Sequence, residues 1–207
     1  MRSDALKKEE YDLMGKANFR FILYGVESAN QISRERLNKG TKPGDIEQSS
    51  KWAKDAGLDP HLTCMVGYPW ETLQEAKNTV KLVTDLFKKG QIETMQATIC
   101  MPYPGTKLFE EAKKEGWLKT LDWDEYDMRK PIMHIPNVSD EEILGVTQEL
   151  YKSALNVKFI AKKLAGIRNL HEFMYLAKAG LQLLGHLKDF KKKQPQDKKD
   201  FYLPTKS

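Results

Sequence analysis

Three short segments carry the residues whose chemistry can be read directly. The first, Tyr24-Gly25-Val26-Glu27-Ser28-Ala29-Asn30-Gln31, sets the carboxylate of Glu27 where an apolar run stops and a helix begins. A carboxylate so placed accepts hydrogen bonds from sugar hydroxyls or takes up a proton. A plainer role competes with these, a solvated acid favoured by the dipole of the following helix. The second segment is Gly67-Tyr68-Pro69-Trp70-Glu71-Thr72. Gly67 has no Cβ and would let a ligand approach the backbone. The third is Pro102-Tyr103-Pro104-Gly105-Thr106. Its prolines stiffen the loop and remove donors, leaving carbonyls to accept from an exocyclic amine. Tyr68, Trp70 and Tyr103 offer flat faces for a ring. A carboxylate, a glycine approach and a stiff aromatic loop on one rim would suit a nucleoside.

The elements that must position these segments alternate between strand and helix. A helix over about 5–15 precedes an apolar, aromatic strand over about 19–26. Helices are expected near 29–38 and 43–56, the first opened by a Ser28–Gln31 capping box. A second strand covers 61–67. Thr72 and Glu75 form another capping box, for a helix running to Gly90. A third strand covers 95–101, and Thr106 caps a helix that closes at Gly116. This rhythm predicts a right-handed parallel α/β fold with its ligands at the carboxyl ends of the strands. The strands are nearly continuously apolar, as where helices cover both faces or surround a barrel. Three strands cannot close a barrel, which takes about eight in full form. The fold class is therefore α/β, parallel β/α units followed by an α-helical C-terminal region, and the chain is expected to start partway through a domain. Residues 1–130 are expected to form the β/α part and 131–190 the helical extension. That extension opens at Ser139 and Glu142, with apolar positions at Ile143, Val146, Leu150 and Leu155. Residues 191–207 are expected to form a basic, disordered tail.

Composition narrows the class. With 30% charged residues and a mean hydropathy of −0.61 the chain reads as soluble. No uncharged apolar run approaches the ~18 residues of a spanning helix. Cys64 and Cys100 fit a reducing cytosol, and each reads as a small buried hydrophobe. No CxxC, CxxxC or spaced His pair is present, so no metal ligand is assigned within the chain. The net charge of +5 is concentrated in the last twenty residues, from Lys188 to Lys199. That pattern reads first as a solvated end, and nucleic acid or a membrane surface ranks below it as a partner.

Taken in order, YGVES, then Lys39-Gly40-Thr41, MVGYPWET and MPYPGT resemble the second half of a radical S-adenosylmethionine (SAM) barrel. The likeness is greatest to members with an N-terminal cobalamin-binding domain, and it covers roughly residues 1–130. It implies a partial (β/α)6 barrel, SAM and a [4Fe–4S] cluster as cofactors, reductive cleavage of SAM to a 5′-deoxyadenosyl radical, and cobalamin in a longer parent. By position it implies that Glu27 contacts SAM and that Lys39 pairs with the SAM carboxylate. Thr63 stands where some relatives have an acidic contact. Gly67 lines the adenine site, and Pro102 and Tyr103 present backbone to adenine. Glu71 is offset by one from the family's acidic residue and is not carried over. The family's three cluster cysteines in a CxxxCxxC loop, and its glycine-rich segment, are absent from this chain. The resemblance therefore implies a partner, the N-terminal half of the barrel, and a small-molecule substrate of unassigned kind. The alternative is an inactive remnant that binds a nucleoside or a partner subunit. Anaerobic reconstitution of the chain with iron and sulfide should leave no stoichiometric thiolate-to-iron charge-transfer absorption. A full cluster per chain would contradict this.

Overall fold

The computed structural model describes residues 1–153 except Pro43, Arg129 and Asn137, together with Met174, Ala177, Lys178 and Leu181. Its order is α1 (Lys8–Lys16), β1 (Phe21–Glu27), α2 (Gln31–Arg36), α3 (Asp45–Asp55), β2 (Asp59–Val66), α4 (Leu73–Lys88), β3 (Thr94–Ile99), α5 (Lys107–Lys114) and α6 (Asp140–Ser153). The three strands form one parallel sheet in the order β1-β2-β3. The rest of the expected helical extension, from 154 to 190, and the basic tail lie outside the described residues, apart from the four named above.

Alternation along the strands decides how the sheet is covered. Ile22, Tyr24 and Val26 of β1, Leu62, Cys64 and Val66 of β2, and Ala97 and Ile99 of β3 are buried. They face the layer of α3, α4 and α6. The intervening residues are open: Phe21 is 53% exposed and Leu23 42%, and Thr94 and Gln96 are exposed as well. Among the described residues helices therefore cover one face, as in a β/α barrel, where the other face is the inner one. Of the two arrangements the apolar strands allowed, the structure takes the partial barrel. At the outer edge of β1 the Met1 amino group donates to the Leu23 carbonyl at 2.6 Å, and the Gly25 N–H donates to the Met1 carbonyl at 3.3 Å. Those two bonds make a parallel rung.

Helix starts follow their caps. The Glu75 N–H donates to Thr72 Oγ1 at 3.3 Å while the Thr72 N–H donates to Glu75 Oε2 at 2.8 Å. Ser139 and Glu142 repeat the pattern, and the Phe109 N–H donates to Thr106 Oγ1 at 3.2 Å. The Ser28–Gln31 box does not form. Asn30 is the N-cap of α2, and Ser28 is buried two residues earlier with other partners. Ile143, Val146 and Leu150 of α6 bury as expected, while Leu155 lies outside the described residues.

A contact invisible in the sequence ties α1 to the sheet. The Tyr24 hydroxyl donates to the Tyr11 hydroxyl at 2.8 Å, both rings being fully buried. A second apolar cluster of Tyr68, Cys100, Ala112 and Met133 lies at the carboxyl end of the strands. There the bridge Leu118–Met133 brings the segment after α5 back beneath the loops. Leu62 is fully buried in the central strand, whereas Leu23 sits on the open face. Leu62→Ala should therefore cost about 2–5 kcal/mol in urea unfolding, and Leu23→Ala well under half of that. Equal losses would contradict a one-sided core.

Candidate functional site

The site is built where β1 stops being a strand. Its ladder with β2 shifts register between Gly25 and Glu27, a bulge that leaves Val26 unpaired in register. Glu27 takes φ +59°, in the left-handed region, and the Ser28 N–H donates to the Val26 carbonyl at 2.8 Å. This three-residue turn folds the Glu27 carboxylate back over Gly25. A Cβ on Gly25 would lie 2.7 Å from Glu27 Oε1 and 3.8 Å from Lys39 Nζ. Glycine is thus needed there for the carboxylate to lie where it does.

Lys39 reaches the same spot from the end of α2. Asn38 turns the chain at φ +54°, and the Lys39 N–H donates to the Arg34 carbonyl at 2.9 Å. Lys39 Nζ then stands 2.9 Å from Glu27 Oε1, with side chains 29% and 21% exposed. The pair is mostly covered, so desolvation offsets much of its Coulomb attraction. Its interest lies in placement, since it sets one anion and one cation side by side at the carboxyl end of β1. A bound zwitterion with hydroxyl groups could exchange partners with both.

Of the other expected residues, Thr63 lies on the open face of β2 and its hydroxyl donates to the Tyr24 carbonyl at 3.2 Å. Gly67 has φ +88°, and the side a Cβ would occupy is turned to Ile135 at 3.3 Å and Ile143 at 3.5 Å. The backbone twist and this packing are what Gly67 serves within the chain. Pro102 is buried and Tyr103 is 42% exposed. The Tyr103 carbonyl accepts from both the Thr106 N–H at 3.2 Å and its hydroxyl at 2.6 Å, so it is already engaged. Two of the three expected aromatic faces are also in use. Tyr68 is buried and stacked on Trp70 at 5.1 Å between centroids. The guanidinium of Arg36, itself ion-paired with Glu111, lies 4.2 Å from the Trp70 ring. Tyr103 is the exposed ring of the three and lies tilted against the Tyr126 ring at 5.9 Å between centroids.

Sequence reasoning passed over Glu71, which is only 4% exposed. Its Oε1 accepts from the Ser28 hydroxyl at 2.6 Å, from Asn30 Nδ2 at 3.1 Å and from the Ser33 hydroxyl. The Trp70 indole N–H in turn donates to Ser33 Oγ at 3.1 Å. From α4, Thr79 Oγ1 accepts from the Ala29 N–H at 2.9 Å. One carboxylate thus ties the loop after β2 to the loop after β1. An acid beside the N-cap of α4 looks in sequence like an ordinary dipole partner, which is why its burial was not legible.

The residues present do not fit a [4Fe–4S] cluster. Such a cluster takes thiolates, and the two cysteines of the chain are both buried in protein, in β2 and just after β3. Burial pushes the Cys64 thiol up to about 12, with the Glu27 charge adding to the shift. The Cys100 thiol is raised for the same first reason, with Glu71 and Glu27 adding.

No family model matches the chain. It is 33% identical over 132 residues to an uncharacterized methyltransferase of Pyrococcus horikoshii, a match covering 64% of this chain and 28% of that protein. It is 31% identical over 114 residues to the bacteriochlorophyllide d C-8(2)-methyltransferase of Chlorobaculum tepidum, covering 54% of this chain and 24% of that protein. Among solved structures, an N-terminally deleted Elp3 of Methanocaldococcus infernus aligns at TM-score 0.47 and 22% identity, over 56% of this chain and 27% of that one. The chain therefore spans about a quarter of the length of these relatives, and its similarity is to methyltransferases.

The thiols give a direct check on the core. In the unfolded chain they ionise near the ordinary value of about 8.5, while folded Cys64 stays protonated to about 12. The stability held in that difference is whole below about pH 8.5 and is lost as pH rises toward about 12. Native protein at pH 8 should leave both cysteines unmodified by a thiol reagent, and both should react in guanidinium. Rapid modification of either in the native state would contradict the buried placement.

Proposed function

We propose that this chain forms one wall of the SAM pocket of a radical-SAM-type methyltransferase. The observation that carries the reading is the Glu27–Lys39 pair over Gly25. It lies at the strand end where the ordered motifs of the resemblance call for SAM contacts. The methyltransferase names of the relatives support transfer of a methyl group as the outcome. In this reading Glu27 accepts from the ribose hydroxyls and Lys39 meets the SAM carboxylate. The backbone at Pro102 and Tyr103 borders the adenine, and Thr63 and Gly67 line the wall between them. The cluster that supplies the electron in such enzymes would be held by residues outside this chain. The N-terminal half of the barrel, on the same or a separate polypeptide, would then cover the open face of the sheet. Cobalamin in a longer parent rests on the resemblance alone. No helix among the described residues is long and apolar enough to cross a membrane, and we place the protein in the cytoplasm. The missing thiolate triad favours one second reading, a nucleoside-binding remnant without radical chemistry.

The first test is binding of S-adenosylhomocysteine to the chain by equilibrium dialysis. Saturable binding is expected, weakened about tenfold by Glu27→Gln through loss of a charge-assisted hydrogen bond. No saturable binding, or equal affinity in the variant, would overturn the assignment.

A further inference from the structure

We propose that Glu71 is a positioning residue: through Ser28 it holds the left-handed turn at Glu27 and so sets the Glu27–Lys39 pair. The consequence for ligand binding rests on the nucleoside reading above, but the clamp itself does not.

The argument begins with strain. A residue with a Cβ disfavours φ near +60°, and turns closed by a bond from residue i+2 back to residue i at positive φ are uncommon and strained. Glu27 has both features. A conformation of this kind persists only when its surroundings over-determine it. The next residue supplies that determination. Ser28 is fully buried, and its Oγ donates to Glu71 Oε1 at 2.6 Å while accepting from the Asn30 N–H at 3.0 Å. Asn30 Nδ2 reaches both Glu71 Oε1 at 3.1 Å and the Glu75 carbonyl at 3.0 Å. Ser33 donates to the same carboxylate oxygen from α2, the helix whose end delivers Lys39.

Both arms of the ion pair are therefore anchored to one buried oxygen, Glu27 through its chain neighbour and Lys39 through α2. Among the described residues the other oxygen, Oε2, is buried without a partner. A buried acceptor left unsatisfied is costly. An apolar side chain here would leave the Ser28, Asn30 and Ser33 donors without their acceptor, so the carboxylate fits the task of holding those donors in place. Neither role, capping a helix or touching a ligand, accounts for three side-chain donors converging from the β1 loop and α2.

The test uses amide hydrogen exchange, which needs no ligand. In the wild-type chain the Ser28 amide should be protected. Glu71→Gln keeps the shape but makes the acceptor neutral, and about tenfold faster exchange at Ser28 is expected with Leu62 and Val66 unchanged. Ser28→Ala should have the same effect at its own amide, without touching Glu71. Glu27→Gly added to Glu71→Gln should restore protection, because glycine takes positive φ without steric cost. That rescue is a result a general packing role would not give. Unchanged exchange at residue 28 in both single variants, equal acceleration at Leu62, or no rescue would overturn the proposal. In parallel, S-adenosylhomocysteine affinity should fall in Glu71→Gln and fall no further in the double variant with Glu27→Gln. Additive losses would overturn the link to the pair. Lost protection in Glu71→Gln with no binding to any form upholds the clamp and overturns the nucleoside reading instead.

Discussion

At the carboxyl end of β1 a residue with a full side chain is held at φ +59°, and the geometry of the candidate site follows from it. If β1 continued extended, Glu27 would share the open face with Gly25 but stand about 7 Å further along the strand. The turn instead lays the carboxylate over Gly25, where the missing Cβ makes room for it. The same turn sends the chain into α2, whose far end brings Lys39 to 2.9 Å from that carboxylate. The cost of the turn is met locally by hydrogen bonds from Ser28, Asn30 and Ser33 to Glu71. Backbone strain, an ion pair and a buried carboxylate thus form one mechanical unit.

The sheet supplies the rigid base for that unit. Its helical face is closed by Tyr24, Leu62, Cys64, Val66 and their neighbours, all nearly or fully buried. The opposite face carries Phe21 and Leu23 in the open, beside Thr63 with its hydroxyl bonded to β1. One-sided coverage gives each strand a division of labour, with stability on one side and a surface for other groups on the other. The carboxyl end is stiffened separately by the cluster around Tyr68 and Met133. Tyr68 and Trp70 are absorbed into packing there and leave Tyr103 at the rim.

Much of this was legible in the sequence where local rules dominate. The three strands, the caps at Thr72, Thr106 and Ser139, and the burial of Ile143, Val146 and Leu150 follow from period and capping chemistry. The misses share a cause, which is that each depends on groups far apart in the chain. Ser28 reads as a cap because Gln31 is near it, yet its partner is Glu71, 43 residues away. The packing of Ile135 and Ile143 on the Cβ side of Gly67 likewise joins residues far apart in the chain. The Tyr11–Tyr24 hydroxyl pair links two elements that no periodicity connects.

The central claim is that the rim of Glu27, Lys39 and Tyr103 receives an adenosyl ligand. Amide chemical-shift mapping during titration with S-adenosylhomocysteine tests it most directly. The account predicts saturable shifts clustered at Gly25, Glu27, Lys39, Thr63 and Tyr103, with the outer face of α4 and α6 unmoved. Shifts that fail to saturate, or that cluster at Lys81 and Glu149 on that helical face, would contradict it.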